Sequence, residues 1–287
     1  MAPLLARLGV GRSGFGFGKR TVSSGPSGPF SATGGNVSAL APGNGYKYHT
    51  FTSPGTFTVS SGGNVEVVIV GGGGGGRGSN AGGGGGGGSV IYNSSFPIAV
   101  GSYPVVVGTL GSSGPNSAPV DGGSGGSATF SSVTAPGGTG APSVNDPGNS
   151  GGNGGGYGGA GGSPGGGNGG AGPQPFRNGA GNPGADGTQV PVGFDAPLYG
   201  IPSLAPLNRF FGGGGGGGHW DGPSNAYGNG GSGGGGRGGG ESPNQGVDGV
   251  TNSGGGGGGG TDPSGGAVPP NAGGAGGSGI VIIRYLA

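Results

Sequence analysis

Four unbroken glycine runs, Gly71–Gly76, Gly82–Gly88, Gly212–Gly218 and Gly254–Gly260, restrict this chain more than any other feature. A residue without a Cβ weakens the interior of a helix or a strand, so neither element holds such a run by itself. Two states remain. One is a flexible linker. The other is the left-handed helix of polyproline II, with three residues per turn and ~3.1 Å rise per residue, whose backbone N–H and C=O groups point outward without internal partners. No side chain stands between two such rods, so neighbours can approach closely enough to satisfy those groups across the gap. The runs have six or seven residues each, and seven residues extend ~22 Å. A random linker has no reason to equalise its runs. Near-equal length predicts rods that cross one body and are joined by loops such as Asp262-Pro263-Ser264. Collagen does not fit, because the glycines come in blocks and not at every third position.

Glycine accounts for 95 of 287 residues, and Leu, Ile, Val and Phe together number 49. That apolar share lies below the roughly 20% at which a normal core becomes doubtful. Yet 10 basic and 9 acidic side chains give a net charge of only +1, without the high charge of a disordered chain. The composition argues against a large globular enzyme. With no cysteine, disulfide scaffolds, thiolate zinc sites and cysteine nucleophiles are removed together. No apolar run approaches the ~18 residues of a membrane span, and no membrane insertion is expected.

The charge is uneven. Arg7, Arg12, Lys19 and Arg20 stand in an acid-free start, and Glu66 is the first acidic residue. Such a start can mimic an organellar transit peptide. Residues 1–22 are read instead as a basic anchoring arm, with Phe15 and Phe17 set in alternation with glycine. An extended arm of this kind can place Phe rings in pockets and its cations on carboxylates of another protein.

Residues 23–45 read as a Ser/Gly/Pro linker. Beyond it, period-two alternation marks strands. Tyr46–Thr52 and Thr56–Ser60, separated by Ser53-Pro54-Gly55, predict a β-hairpin. Further strands are predicted at Asn64–Val70, Ser89–Tyr92, Phe96–Val100, Tyr103–Gly108 and Ser127–Val133, and at Gly279–Leu286 by the C-terminus. The final strand must pair non-locally, which favours a Greek key or jelly roll. The expected fold is mainly β, with almost no α-helix. A jelly-roll-like sandwich is built from residues 46–135 and 279–287, and a Gly-rich insertion over 136–278 forms a bundle of polyglycine-II rods. Ordering a residue costs ~1–2 kcal/mol, and a hydrogen bond returns only ~0.5–1.5 kcal/mol net. The bundle must therefore lean on the sandwich or on neighbouring subunits. A homo-oligomer is expected, a trimer favoured.

The chain offers little chemistry. Val70 followed by Gly71–Gly76 matches a dinucleotide fingerprint only trivially, because neither a helix nor an acid ~20 positions on follows. Gly18-Lys19 is followed by Arg20, so no P-loop exists. His49 lies in a predicted strand as a structural residue. His219, Trp220 and Asp221 are too few ligands for a metal. Arg77-Gly78 and Arg237-Gly238-Gly239 are the only Arg-Gly candidates for RNA, and residues 21–287 carry six basic and nine acidic groups, opposite to a basic footprint. No catalytic, metal or cofactor site and no nucleic-acid partner is expected.

The order of motifs, Tyr48-His-Thr-Phe-Thr-Ser-Pro-Gly-Thr-Phe-Thr-Val, Val65-Glu-Val-Val-Ile-Val-Gly-Gly-Gly, Tyr103-Pro-Val-Val-Val-Gly, Gly126-Ser-Ala-Thr-Phe and Gly277-Ser-Gly-Ile-Val-Ile-Ile-Arg-Tyr, resembles the glycine-rich domain of bacteriophage tail-fibre and adhesin appendage proteins. The resemblance covers about residues 46–287. It implies a non-enzymatic virion protein, on the tail rather than the head: a short tail-fibre or spike tip that attaches to the host surface. Only some 45 residues precede the domain where relatives carry a long shaft, which favours a tip held to other virion proteins by Arg7, Arg12, Phe15, Phe17, Lys19 and Arg20. Aromatic-bearing loops at the rod ends are the expected contact with a host glycan or protein, through Trp220, His219, Asp221, Tyr199, Tyr227 and Tyr157. An alternative stays open in which these rings plug the bundle ends. A capsid decoration protein and a cell-surface or secreted glycine-rich structural protein are the other expectations.

Overall fold

The computed structural model describes residues 29–40, 43–78, 82–115, 120–142, 181–219, 227–240, 245–261 and 271–287. The described chain is mainly β, and its longest helical element is one 3-10 turn, Pro202–Leu207. The strands are β1 (Ser31–Thr33), β2 (Val37–Leu40), β3 (Tyr46–Phe51), β4 (Gly55–Ser61), β5 (Gly63–Val70) and β6 (Val90–Ile98). They continue with β7 (Gly101–Val106), β8 (Ala128–Phe130), β9 (Val133–Ala135), β10 (Thr188–Gln189), β11 (Phe210–Phe211) and β12 (Ile280–Leu286).

Two antiparallel five-stranded sheets, in the orders β1-β4-β7-β8-β9 and β2-β3-β12-β5-β6, face each other across an apolar core. Alternation builds that core. Phe57 and Val59 of β4 and Phe130 of β8 point in from the first sheet, and Val65, Val67, Ile69, Val281 and Ile283 from the second. As the apolar run at the C-terminus required, β12 pairs non-locally and lies centrally between β3 and β5. The hairpin expected at Ser53-Pro54-Gly55 does not form. β3 pairs with β2 and β12, and β4 with β1 and β7, so this turn carries the chain from one sheet to the other. Phe51 and Phe57 then meet in the core from opposite sides. The stretch expected as linker supplies β1 and β2. The predicted strands Ser89–Tyr92 and Phe96–Val100 are one edge strand, β6, where Pro97 is tolerated.

A second apolar cluster lies on the other face of the second sheet. Tyr48, Val68, Val70, Ile280 and Ile282 point outward there, and the segment 190–211 covers them with Phe194, Tyr199, Leu204 and Phe211.

Beyond the strands the chain runs in rods. In 71–78, Gly71, Gly74 and Arg77 donate their N–H groups to rod 82–89. Gly72, Gly75 and Gly78 donate to 120–126, and Gly73 and Gly76 to 274–277. The carbonyls show the same period. Gly72 and Gly75 accept from 138–141, Gly73 and Gly76 from 111–114, and Gly74 and Arg77 from 257–260. Successive residues thus bond to different neighbours and the third returns to the first, the three-residue turn of polyproline II. Rod 71–78 is surrounded by six neighbours. So is 254–261, ringed by 71–78, 82–89, 212–219, 235–240, 246–250 and 271–278.

Packing at this distance excludes side chains. A Cβ on Gly74 would lie 2.0 Å from the Thr139 carbonyl oxygen, and one on Gly257 2.1 Å from that of Gly274. Outer rods keep glycine only where they face inward: Gly108, Gly111 and Gly114 in one, Gly181, Gly184 and Gly187 in another. Rod 271–279 instead has Ala272, Ala275 and Ser278 half-exposed at every third position. The rods are drawn from both sides of residue 136. Rods 71–78, 82–89, 107–115 and 120–127 interrupt the stretch expected to be sandwich, because each continues the direction of a strand. Gly71 bonds Ser89 just past the Val70–Val90 pair of β5 and β6. Gly279, ahead of β12, bonds Gly108, behind β7, so the rods join the two sheets.

Candidate contact surface at the far end of the rods

Each rod has a sheet end and a far end. At the sheet end the rods run into strands or into the tight turns 232–234 and 251–253, which use Gly233, Gly234 and Asn252 at positive φ. At the far end the described chain leaves the rods at 78, 115, 142, 219, 240 and 261 and returns at 82, 120, 181, 227, 245 and 271. Every one of these connections starts and finishes on the same face. Neighbouring bonds fix them there: the Thr261 hydroxyl donates to the His219 carbonyl, Asn271 N–H to the Thr261 carbonyl, and His219 N–H to Gly239. The rods thus form a platform that holds the roots of all these connections side by side.

Several side chains are placed on it. Arg77 pairs with Asp121 at 2.6 Å and donates to the Pro142 carbonyl at 2.9 Å. Asp121 is 58% exposed, so water screens this pair and its contribution to stability is small. Arg237 lies 4.6 Å over the ring of Tyr227, which is half-buried against Gly240. His219 stands at the far end, where it is 1% exposed, and among the described residues neither ring nitrogen has a hydrogen-bond partner. Among the described residues no group of three His, Cys, Asp or Glu side chains is placed to hold a metal.

Tyr199 requires a correction. It is 2% exposed, and it belongs to the cluster over the second sheet, away from the rod ends. Its carbonyl accepts from the Thr50 hydroxyl at 2.9 Å, and burial pushes its phenol up. A ring sealed in a core contacts no receptor. Phe211 is buried in the same cluster. Trp220, Asp221 and Tyr157 lie outside the described residues, as do Arg7, Arg12, Phe15, Phe17, Lys19 and Arg20.

The expectations from sequence also passed over a buried polar group on the second sheet. Arg284 of β12 faces Glu66 of β5 in register and pairs with it at 2.8 Å. Its guanidinium is held between the rings of Tyr46, at 4.5 Å, and Phe194, at 4.2 Å. Tyr92 donates to the same Glu66 oxygen at 2.9 Å, and burial together with that carboxylate pushes its phenol up to about 12. Gly193, at φ +94°, is required beside this group, since a Cβ there would lie 2.0 Å from Arg284 Nη1. One Arg and one Glu, each alone in an apolar strand, were the available signal.

The sequence pattern of the glycine-rich domain matches residues 50–286. The chain belongs to the glycine-rich domain family. The match spans β4 to β12 and the rods between them, so the family pattern includes the bundle and most of the sandwich, and leaves out β1, β2 and the start of β3. No curated protein matches this glycine-rich domain protein in sequence.

Proposed function

We propose that this glycine-rich domain protein is a non-enzymatic virion protein of a bacteriophage, a short tail-fibre or spike tip. It attaches to the host surface through the connections at the far end of its rods, and residues 1–22 hold it to the particle. The observation that carries this reading is the common face on which every far-end connection is rooted. An enzyme site needs a few groups held in a cleft, whereas a contact module needs many variable segments presented together on a rigid support. A lattice in which each inner rod is bonded on all sides is such a support. The order of strand and glycine motifs adds the resemblance to phage appendage proteins. The test is immunogold electron microscopy of intact particles with an antibody to residues 143–180. Gold at a tail tip, masked when host cells are added, is the expected result. Gold over the shell would reassign the protein to capsid decoration, and particles without gold would overturn a virion role in favour of a cell-surface structural one.

A further inference from the structure

An inner rod offers hydrogen-bonding groups on six sides, and rods 71–78 and 254–261 use all six. The described residues close four sides of rod 82–89. These neighbours are 136–141, 71–78, 254–260 and 212–218, and they form an unbroken arc, because each is also bonded to the next. Gly84 and Gly87 are turned away from that arc. No described residue bonds to their N–H groups or their carbonyls, yet both are buried. Rod 212–219 shows the same period. The carbonyls of Gly215 and Gly218 take no hydrogen bond from the described residues, and both residues are buried. The Gly215 oxygen sits between two rods, since a Cβ on Gly84 would lie 2.2 Å from it and one on Gly184 2.7 Å. One side of the lattice thus runs from rod 136–142, past 82–89 and 212–219, to rod 181–187.

Buried peptide groups are almost always paired, and an orphan costs about as much as a lost hydrogen bond. Groups that recur every third residue call for a partner of the same period, another polyproline-II rod. Two are needed here. The N–H and the carbonyl of one residue serve different rods, as those of Gly74 serve 82–89 and 254–261. The segment 143–180 meets both demands. It leaves rod 136–142 and returns in rod 181–187, the two margins of this side, and it does both at the far end. A chain that leaves and returns on one face crosses the body an even number of times. Two crossings of about eight residues, ~25 Å each at ~3.1 Å per residue, take up less than half of its 38 residues. The segment also carries the code of rod 271–279 twice. Tyr157, Ala160 and Ser163 stand three apart with only glycine between them, and so do Asn168 and Ala171. Residues 1–28, by contrast, contain no two adjacent glycines. They join β1 where Ser31 pairs with Ser61, at the end of the sandwich away from the rods.

We propose that residues 143–180 dock on this side of the lattice as two antiparallel polyglycine-II rods, bonded to the peptide groups of Gly84 and Gly87 and to the carbonyls of Gly215 and Gly218. Tyr157 then stands on the flank of the bundle and not at its far end. The inference does not rest on the virion reading. The test is hydrogen exchange of the full chain, resolved to single residues. The N–H groups of Gly84 and Gly87 should exchange as slowly as that of Gly85, which is bonded to Gly257. Gly159→Val and Gly170→Val each put a side chain where the code requires glycine. The one in the rod that accepts from Gly84 and Gly87 should speed their exchange about tenfold. Ala160→Val, at an outward position, should leave it unchanged. Fast exchange of Gly84 and Gly87 in the unaltered chain would overturn the proposal. So would unchanged exchange in both glycine variants, or an equal rise in Ala160→Val. Protection that is lost on dilution, with a dimer in sedimentation, would overturn it in favour of a second copy of the chain on this side.

Discussion

His49 stands two residues after the exposed Lys47 on the same side of β3, and there it is buried between the two sheets. Its Nδ1 is 2.7 Å from the Gly34 carbonyl and its Nε2 is 3.2 Å from the Tyr285 hydroxyl. A carbonyl only accepts, so Nδ1 carries the proton and Nε2 accepts from Tyr285. The ring stacks on Tyr285 and meets Phe57 edge-on, which leaves no room for water around a charge. Burial holds its pKa below the ordinary 6.5, against the opposing pull of the Gly34 carbonyl. Below pH 6.5 the unfolded chain takes up a proton that the native chain refuses. The stability His49 confers is complete above pH 6.5 and declines as the pH falls toward the lowered native value. Asp195, held below 3.8 by Arg209 at 2.9 Å, acts only at more acid pH. The melting temperature should therefore fall between about pH 7 and pH 5, by at most ~1.4 kcal/mol of stability per pH unit. His49→Gln should flatten the curve over that interval. A slope unchanged in His49→Gln would show that another group titrates.

Among the elements, the outer rods carry a three-letter code that the inner ones lack. In rod 271–279 Ala272, Ala275 and Ser278 recur at every third position, and the glycines between them face 71–78, 246–250 and 254–261. One extra glycine after Ala275 moves Ala275 into the place of Gly274, where a Cβ lies 2.1 Å from the Val247 carbonyl oxygen. Insertion of Gly-Gly-Ala at the same point moves the preceding chain by one full turn and keeps every Cβ outward. The single insertion is expected to cost about 1–3 kcal/mol, as overpacking does, and the triplet much less. Thermal melts of the two variants compare them, and equal losses would show that the threefold register is not what holds the rod. The same code explains what was legible. The seven-glycine runs announced inner rods because nothing else tolerates six close neighbours. Rod 107–115, with one glycine in three, falls in the stretch expected to be sandwich, because scattered glycines also read as turns. The alternation in β3, β5 and β12 gave the strands. It could not say whether Ser53-Pro54 turns within a sheet or between sheets, since both use the same turn residues. Tyr199 was misplaced because nothing in a Pro- and Gly-rich stretch tells a covering segment from an exposed loop.

Across the whole molecule the two ends of the bundle are built differently, and insertions should reveal the difference. At the sheet end Ser253 is fully buried, and its hydroxyl donates to the Val250 carbonyl and accepts from Gly255 N–H. Asn252 beside it has φ 62°, its N–H donates to the Ser278 hydroxyl, and Gly212 and Gly254 are bonded to the same corner. Added residues there must break these bonds and pull a pair of rods away from β11 and β12. At the far end the rods keep their bonds up to residues such as Gly239, Gly260 and Asn271, whatever joins them beyond. Lengthening a connection costs only ~0.6 kcal/mol per doubling of its length. Four Gly-Ser residues placed within 116–119 or 241–244 are thus expected to change stability by less than ~1 kcal/mol, while the same residues after Asn252 should cost several times more. Chemical denaturation of the full chain measures both. A surface that varies freely on a fixed frame is what attachment requires, because segments rooted on that face could then change with the partner while the lattice beneath stayed the same. Equal sensitivity at both ends would remove that argument and leave the rods as a purely structural body.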